Sequence, residues 1–434
     1  MIKKIILVFS LVFSFKALAQ EGTASPYSYY GVGSIKFKGT IENRSMGGLS
    51  IYNDSIHVNL KNPSGYTGNN IKYYNDESRP VKFSMGGTYT DLQLESTTEK
   101  DNASTATFDY LALVLPLGKF GAGFGIIPYS SVGYKLESKV NDNLDYRFTG
   151  EGGLNKVFFG LAYQFTKSLS IGVDASYNFG NTRDYALKFT YDEFGEYTQF
   201  LTEEFNRSDL SGMSYNFGIN YKTYVTDKFE LVLAATYAPE VSLNSENIRT
   251  FSTVTYNPFT ETTVSVDTEE VNLESRGLAE SSVNLPSKYS FGAGIGQPRI
   301  WFLGAEFTQV NTNDFNNPLI NIGNSKFVNA ETWSIGGFIV PDYNSFSKYW
   351  KRIVYRAGLR YSDVGLNINN QNINEFGINF GVGLPLGGTF SNANIGFEFG
   401  ERGTTTADLI KEKYFNIHLS LSLNSRWFQK RKYN

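Results

Sequence analysis

The 434 residues contain no cysteine and only two histidines, His57 and His418. The first absence excludes disulfides, thiolate chemistry, Cys-rich zinc sites and a lipoprotein anchor on cysteine. The second leaves no HExxH pair for a metalloprotease. Long apolar runs are missing as well. After the first few residues nothing approaches the roughly twenty apolar residues that a membrane-crossing helix needs. A formal net charge of -3 gives no pull toward nucleic acid. A mean hydropathy of -0.28 argues against a helical membrane protein. It does not argue against a barrel, whose strands hide their apolar residues by alternation.

What is present is aromatic and glycine-rich, with Phe 35, Tyr 29 and Gly 42 against Pro 12. Aromatic residues favour strands and also the membrane–water boundary. Lys3 and Lys4 precede an apolar stretch from Ile5 to Phe15, and Ala17-Leu18-Ala19 supplies a small-x-small cleavage site. Residues 1–19 therefore read as a signal peptide, with a mature chain beginning at Gln20. Phe415, Ile417, Leu419, Leu421 and Leu423 alternate with the polar Asn416, His418, Ser420, Ser422 and Asn424. The same period of two recurs in about fourteen runs, clearest at 157–165, 169–179, 213–221, 289–295, 301–307, 376–384 and 393–399. Less regular runs lie near 81–95, 106–117, 120–134, 229–243, 333–340 and 353–361.

The connections alternate in length. Leu117-Gly118-Lys119, Thr166-Lys167-Ser168, Thr226-Asp227-Lys228, Gln297-Pro298-Arg299 and Leu386-Gly387-Gly388 read as tight turns. Longer polar stretches fall between them, near 135–153, 182–211, 244–287, 311–331, 362–374 and 401–412. The segment 341–352 is one short-side connection of middling length. Short periplasmic turns and long outer loops are the rhythm of an up-and-down outer-membrane barrel. The expected fold is all-β: a transmembrane antiparallel barrel of about 14 strands over 80–425. It is preceded by an irregular segment at 20–79 and followed by a basic periplasmic tail at 426–434, with Arg426, Lys430, Arg431 and Lys432. The expected location is the outer membrane of a Gram-negative cell, in contact with its lipid. Asp174, Asn216, Lys222, Glu306, Arg356, Arg360, Asn379, Glu398 and His418 are expected to line the interior.

No chemistry-bearing motif emerges. There is no GxSxG elbow between a strand and a helix. Gly121, Gly123 and Gly125, like Gly292, Gly294 and Gly296, lie inside strands with no helix after them, so they are not a dinucleotide loop. Asn311, Asn313 and Asp314 lack the glycine and distal glutamate of a calcium loop. Asp267, Glu269 and Glu270 read as a solvated loop surface. The chain is expected to be no enzyme, to carry no cofactor and no metal, and to bind no nucleic acid.

The stretch 43–66 runs Asn43-Arg44-Ser45-Met46-Gly47-Gly48-Leu49-Ser50, then Asn53-Asp54, then Asn62-Pro63-Ser64-Gly65. It resembles the start of the FadL-type outer-membrane transporters of hydrophobic compounds and the related PorV-type barrels of type 9 secretion. Both carry an arginine–glycine turn, an acidic step and an Asn-Pro-Ala motif. Here the last is Asn62-Pro63-Ser64, and only Asp54 remains of the acidic pair. The resemblance implies that 20–79 folds into the lumen as a hatch, with Arg44, Met46, Gly47, Gly48, Asp54, Asn62 and Pro63 at the hatch or ligand site. It also implies a lateral opening beside a kinked third strand, here at Ile127, Pro128 and Tyr129. Proline gives the ladder no N–H, which suits an edge or a bulge. Passive uptake of fatty acids or aromatic hydrocarbons is then the expected function. The alternative is a subunit or carrier role among secretion-system proteins.

Overall fold

The structure, a computed structural model, describes residues 22–54, 56–68, 81–313, 315, 323–386 and 391–425. The expected signal peptide at 1–19, the expected basic tail at 426–434, Asp314, Gly387 and Gly388 lie outside the described residues. Fourteen strands form one antiparallel ring. They are β1 (Val81–Glu95), β2 (Lys100–Leu117), β3 (Phe120–Pro128, continued by Ser130–Val140), β4 (Asn143–Gln164) and β5 (Leu169–Lys188). Next come β6 (Leu201–Tyr224), β7 (Glu230–Ala238, continued by Val241–Asn257), β8 (Glu280–Leu285, continued by Lys288–Gln297) and β9 (Trp301–Val310). The ring is completed by β10 (Ala330–Ile339), β11 (Val354–Ile368), β12 (Gln371–Leu386), β13 (Ser391–Arg402) and β14 (Lys411–Ser425). β1 pairs with β14 from Val81↔Ser425 to Glu95↔Lys411, so the sheet closes. Closure leaves the upper part of β2 unpaired on its β3 side among the described residues, and pairing of the rest is what lets strands cross lipid.

The alternation explains which face is which. Val157, Phe159 and Leu161 of β4 and Met213, Tyr215, Phe217, Ile219 and Tyr221 of β6 point outward and are exposed. Their neighbours Phe158, Ala162, Asn216 and Asn220 are buried. Asp174, Glu306, Arg356, Asn379, Glu398 and His418 are likewise buried, on the lumen side. In water the outward face would be untenable; against hydrocarbon it is the favoured one.

The long polar stretches differ from the loops that composition suggests. β4, β5 and β6 are 22, 20 and 24 residues long, whereas about 9–11 residues cross a bilayer. The strands rise well beyond the apolar band before turning. Asn141 and Asp142, with φ of 52° and 67°, make a two-residue turn inside the stretch 135–153, and Asn369 and Asn370 (φ 49° and 61°) do so inside 362–374. Asparagine and aspartate tolerate this left-handed geometry, which suits hairpin twist. Their polar strands read as loops because both faces meet water. Thr262–Glu270 adds a further strand to the raised part of β7. Pro239 and Pro286 interrupt β7 and β8 at facing positions, just where Val241↔Leu285 takes over from Lys288↔Ala238.

Candidate functional site

The described part of the N-terminal segment packs against inward-facing residues all round the ring. Tyr27 Oη donates to the Ile410 carbonyl, Ser50 N to Glu306 Oε2 at 2.7 Å, Asn62 Nδ2 to the Ile219 carbonyl at 3.0 Å and Tyr66 Oη to Asp174 Oδ1 at 3.0 Å. Its local shape follows from its residues. A single helical turn, Ile41–Arg44, starts where Asn43 Oδ1 accepts from the Thr40 backbone N–H at 3.2 Å. Gly47 and Gly48, with φ of 71° and 94°, then reverse the chain in a conformation that β-carbons disfavour. Asn62 Oδ1 accepts from Ser64 N at 3.1 Å and caps the short helix Pro63–Tyr66, which opens on the proline favoured there.

Wall glycines make room for this segment. A β-carbon on Gly358 would stand 2.2 Å from Gly47 N, and one on Gly336 2.4 Å from the Met46 carbonyl oxygen. Opposite, a β-carbon on Gly172 would stand 2.5 Å from the Pro63 carbonyl carbon. The glycines that mimic nucleotide-loop fragments therefore belong to the wall: Gly121 lies under the Tyr66 backbone and Gly292 under Ile51.

Charges hold the two parts together. Arg44 Nε lies 2.7 Å from Glu398 Oε2, and Arg360 Nη2 lies 3.0 Å from Glu398 Oε1. Arg360 also reaches Glu375, which takes Arg402 Nη2 at 2.7 Å and the Tyr414 hydroxyl at 2.7 Å. Ser25 Oγ donates to Glu412 on the same wall. Lower down, Lys61 Nζ pairs with Glu306 Oε1 at 2.7 Å. Asn394 Nδ2 and Ser420 Oγ donate to Glu42 Oε1. Asp54 accepts the backbone N–H groups of Ile56 and His57 at 2.8 and 2.6 Å and faces the His57 ring. Burial alone would raise the Asp54 pKa, but His57, its own hydrogen bonds and Lys82 hold it well below the ordinary carboxylate value. Burial lowers the Lys36 ammonium to about 8.

The ring has one seam. β2 pairs with β3 from Leu117↔Phe120 up to Leu111↔Ile126. Above that, the Lys100–Tyr110 edge that faces β3 has no strand partner among the described residues. β3 leans away at Pro128 and resumes as the partner of β4, Val132↔Gly152 onward. A two-residue strand of the N-terminal segment, Ser34–Ile35, fills the foot of the seam with the pairs Ser34↔Ser131 and Ile35↔Ser130. Lys36 N donates to the Tyr129 carbonyl at 2.9 Å, and Ser130 Oγ to the Val32 carbonyl at 2.6 Å. An ion pair of 3.2 Å between Lys139 and Glu99 bridges the top. Behind the seam lies a cavity of about 120 Å³ whose lining includes Thr88, Thr105, Thr107, Asp109, Arg402 and Glu412. A second cavity, of about 110 Å³, opens toward the short-turn end beside Glu42, Asp54, His57, Glu230 and Arg356. The first is walled largely by polar and charged groups, whereas the second mixes them with Met46, Ile56, Val58, Phe338, Val340 and Val354.

Of the residues singled out by sequence, Arg44, Asp54, Asn62 and Pro63 hold the contacts given above, Met46 is buried, and Gly47 and Gly48 touch the wall. Ile127 is buried at the foot of the seam, beside Pro128 and Tyr129. The two groups meet: Arg44 and Pro128 line the same cavity behind the seam, and Ile127 packs in one cluster with Ile41 and Tyr66 of the N-terminal segment. Glu42, Lys61 and Tyr66 are as deeply engaged but carry no motif that would single them out. Among the described residues no cluster of His, Cys, Asp or Glu is arranged to hold a metal.

A closed antiparallel ring with an apolar outer belt and a polar, occupied interior defines an outer-membrane β-barrel of the FadL type. The chain belongs to the BamG family, whose model matches residues 1–434. Among solved structures it resembles the Pseudomonas putida toluene transporter TodX, with a TM-score of 0.58 and 16% identity, over 91% of this chain and 99% of that one. It also resembles the CymD monoaromatic hydrocarbon channel, with a TM-score of 0.52 and 13% identity over 91% and 100%. A Pseudomonas aeruginosa FadL homologue gives 0.53 and 13% over 91% and 99%. At such identities the likeness establishes the fold. No curated protein matches the chain.

Proposed function

We propose that this protein is an outer-membrane barrel that works with its lumen closed and acts by binding other envelope proteins. Its short turns face the periplasm, residues 1–19 are removed on export, and 20–79 form the hatch, anchored through Arg44, Met46, Gly47, Gly48, Asp54, Asn62 and Pro63. The observation that carries this reading is that two cations of the hatch pair with buried wall carboxylates, Arg44 with Glu398 and Lys61 with Glu306, and that Glu398 is itself tied through Arg360 to Glu375 and Arg402 of the wall. Removing one partner of a buried pair costs about 3–5 kcal/mol. A small hydrocarbon that buries on the order of 150 Å² recovers only about 4 kcal/mol at 25 cal/mol per Å². Displacing a hatch held by two such pairs is beyond that driving force. At the long-loop rim, Phe194 and Phe259 stand 88% and 95% exposed at turns, side chains within reach of a partner. Cross-linking in intact cells followed by purification in mild detergent tests the reading. A stable protein complex is expected; a barrel that is always recovered alone argues against it.

A second reading is supported by the seam: sideways passage of a small hydrophobic molecule past Ile127, Pro128 and Tyr129, after movement of Ser34–Ile35. TodX, a toluene transporter, and CymD, a hydrocarbon channel, favour it by likeness of fold. Its polar lining, Thr88, Thr105, Thr107 and Asp109, speaks for a sealed joint instead. Toluene uptake into protein-loaded vesicles separates the two readings.

A further inference from the structure

The connection from β10 to β11 lies at the short-turn end and is longer than its neighbours. Its residues are apolar–aromatic and basic together: Tyr343, Phe346, Tyr349 and Trp350 with Lys348, Lys351 and Arg352. It has a fixed shape. Asp342 N donates to the Lys351 carbonyl at 2.8 Å, Tyr349 Oη to the Pro385 carbonyl at 3.0 Å and Tyr355 Oη to the Trp350 carbonyl at 3.1 Å. A short helical turn covers Tyr349–Arg352. Even so, Phe346 is 94% exposed and Trp350 53%. Ile339, at the end of β10, and Ile300, in the turn that leads into β9, are exposed nearby.

The cations of this strap are unspent. Among the described residues Arg299, Lys348, Lys351 and Arg352 make no ion pair, and Asp342 is the one carboxylate on the strap. Three of these cations lie over rings: Arg352 over Tyr349 at 5.3 Å, Arg299 over Tyr343 at 5.5 Å and Lys351 over Trp350 at 5.9 Å. Arg352 Nε is shielded from solvent and has no hydrogen-bond partner among the described residues. A guanidinium with no carboxylate beside it favours an anionic oxygen at its remaining N–H groups. Trp, Tyr and Phe beside it are at home at headgroup depth, where phosphate oxygens are found. Basic residues at that depth attract anionic lipid.

We infer that this strap is a binding site for the phosphate headgroup of an anionic phospholipid in the adjoining leaflet. Arg352, Lys348 and Lys351 donate to the phosphate, and Phe346 and Trp350 enter the acyl boundary. The inference does not rest on the function proposed above. It accounts at once for the bare Phe346 and for three neighbouring cations that make no ion pair among the described residues.

Native mass spectrometry of the full-length protein in mild detergent, titrated with phosphatidylglycerol or phosphatidylcholine, tests it. The wild type is expected to retain phosphatidylglycerol preferentially, with no competition from glycerol phosphate. A K348A/K351A/R352A variant should lose that preference by roughly a hundredfold at low salt. A variant that loses as many charges at the opposite rim (K135A/K139A/R183A) should keep it, and F346A/W350A should weaken both lipids alike. Heat-modified gel mobility reports whether each variant is folded. Equal retention of the two lipids, or a preference that survives in the triple variant, overturns the proposal. Full competition by glycerol phosphate also overturns it, because the site is then one for free phosphate.

Discussion

Arg44 of the N-terminal segment and Glu398 of β13 meet at 2.7 Å, and the Glu398 carboxylate is wholly buried. Glu398 also touches Arg360 and His418. Arg44→Ala leaves part of that charge uncompensated. The expected loss is about 3 kcal/mol of barrel-plus-hatch stability, read as a lower Tm in detergent and faster proteolysis within 22–68. Arg44→Lys keeps the charge and should lose less. Unchanged proteolysis in Arg44→Ala would falsify the anchoring role.

Gly358 and Gly336 carry the Met46–Gly47 backbone of the N-terminal segment on their bare α-carbons. Gly358→Val is expected to push Met46 and Gly47 off the wall and to expose the segment to protease. Gly323, where a β-carbon would meet only open space, should accept alanine without effect. Equal behaviour of the two variants in hydrogen exchange over 40–50 contradicts the fit.

Acid should loosen the hatch within a defined window. The Asp54 pKa is lowered in the folded state, so its contribution is present above the unfolded carboxylate value, about 3.9. It is lost as pH falls below that value toward the folded pKa. Protease resistance of the hatch should therefore hold from neutral pH down to about 4 and weaken below. In Asp54→Asn the acid dependence should be reduced.

The seam can be stapled. Ser34 and Ser131 are paired residues of the two short facing strands, and the chain has no cysteine of its own. Ser34→Cys/Ser131→Cys should form a disulfide on mild oxidation, visible as a gel shift that reductant reverses. Failure to form it means that Ser34–Ile35 does not rest in the seam.

Much of the barrel was legible in the alternation, because a strand between lipid and a polar interior must change character at every residue. Asp174, Glu306 and Glu398 could be placed inside for that reason. The raised strands were not legible: around Asn141–Asp142 both faces are wet, the alternation fades, and polar composition reads as loop. Pairing of Ser34–Ile35 with Ser130–Ser131 was hidden too, since two residues carry no period. Arg44, Asp54 and Asn62 were found through a motif resemblance, while Glu42, Lys61 and Tyr66 gain their importance only from the wall opposite them. The basic–aromatic strap lay in plain view at 341–352, yet its unpartnered Arg352 is a matter of geometry.

The most direct test of the closed-lumen account is toluene uptake by phospholipid vesicles, measured with the wild-type barrel, the oxidised Ser34→Cys/Ser131→Cys variant and no protein. The account predicts the same rate in all three. Faster uptake with the wild type that disappears on stapling and returns on reduction contradicts it, and assigns the seam to transport.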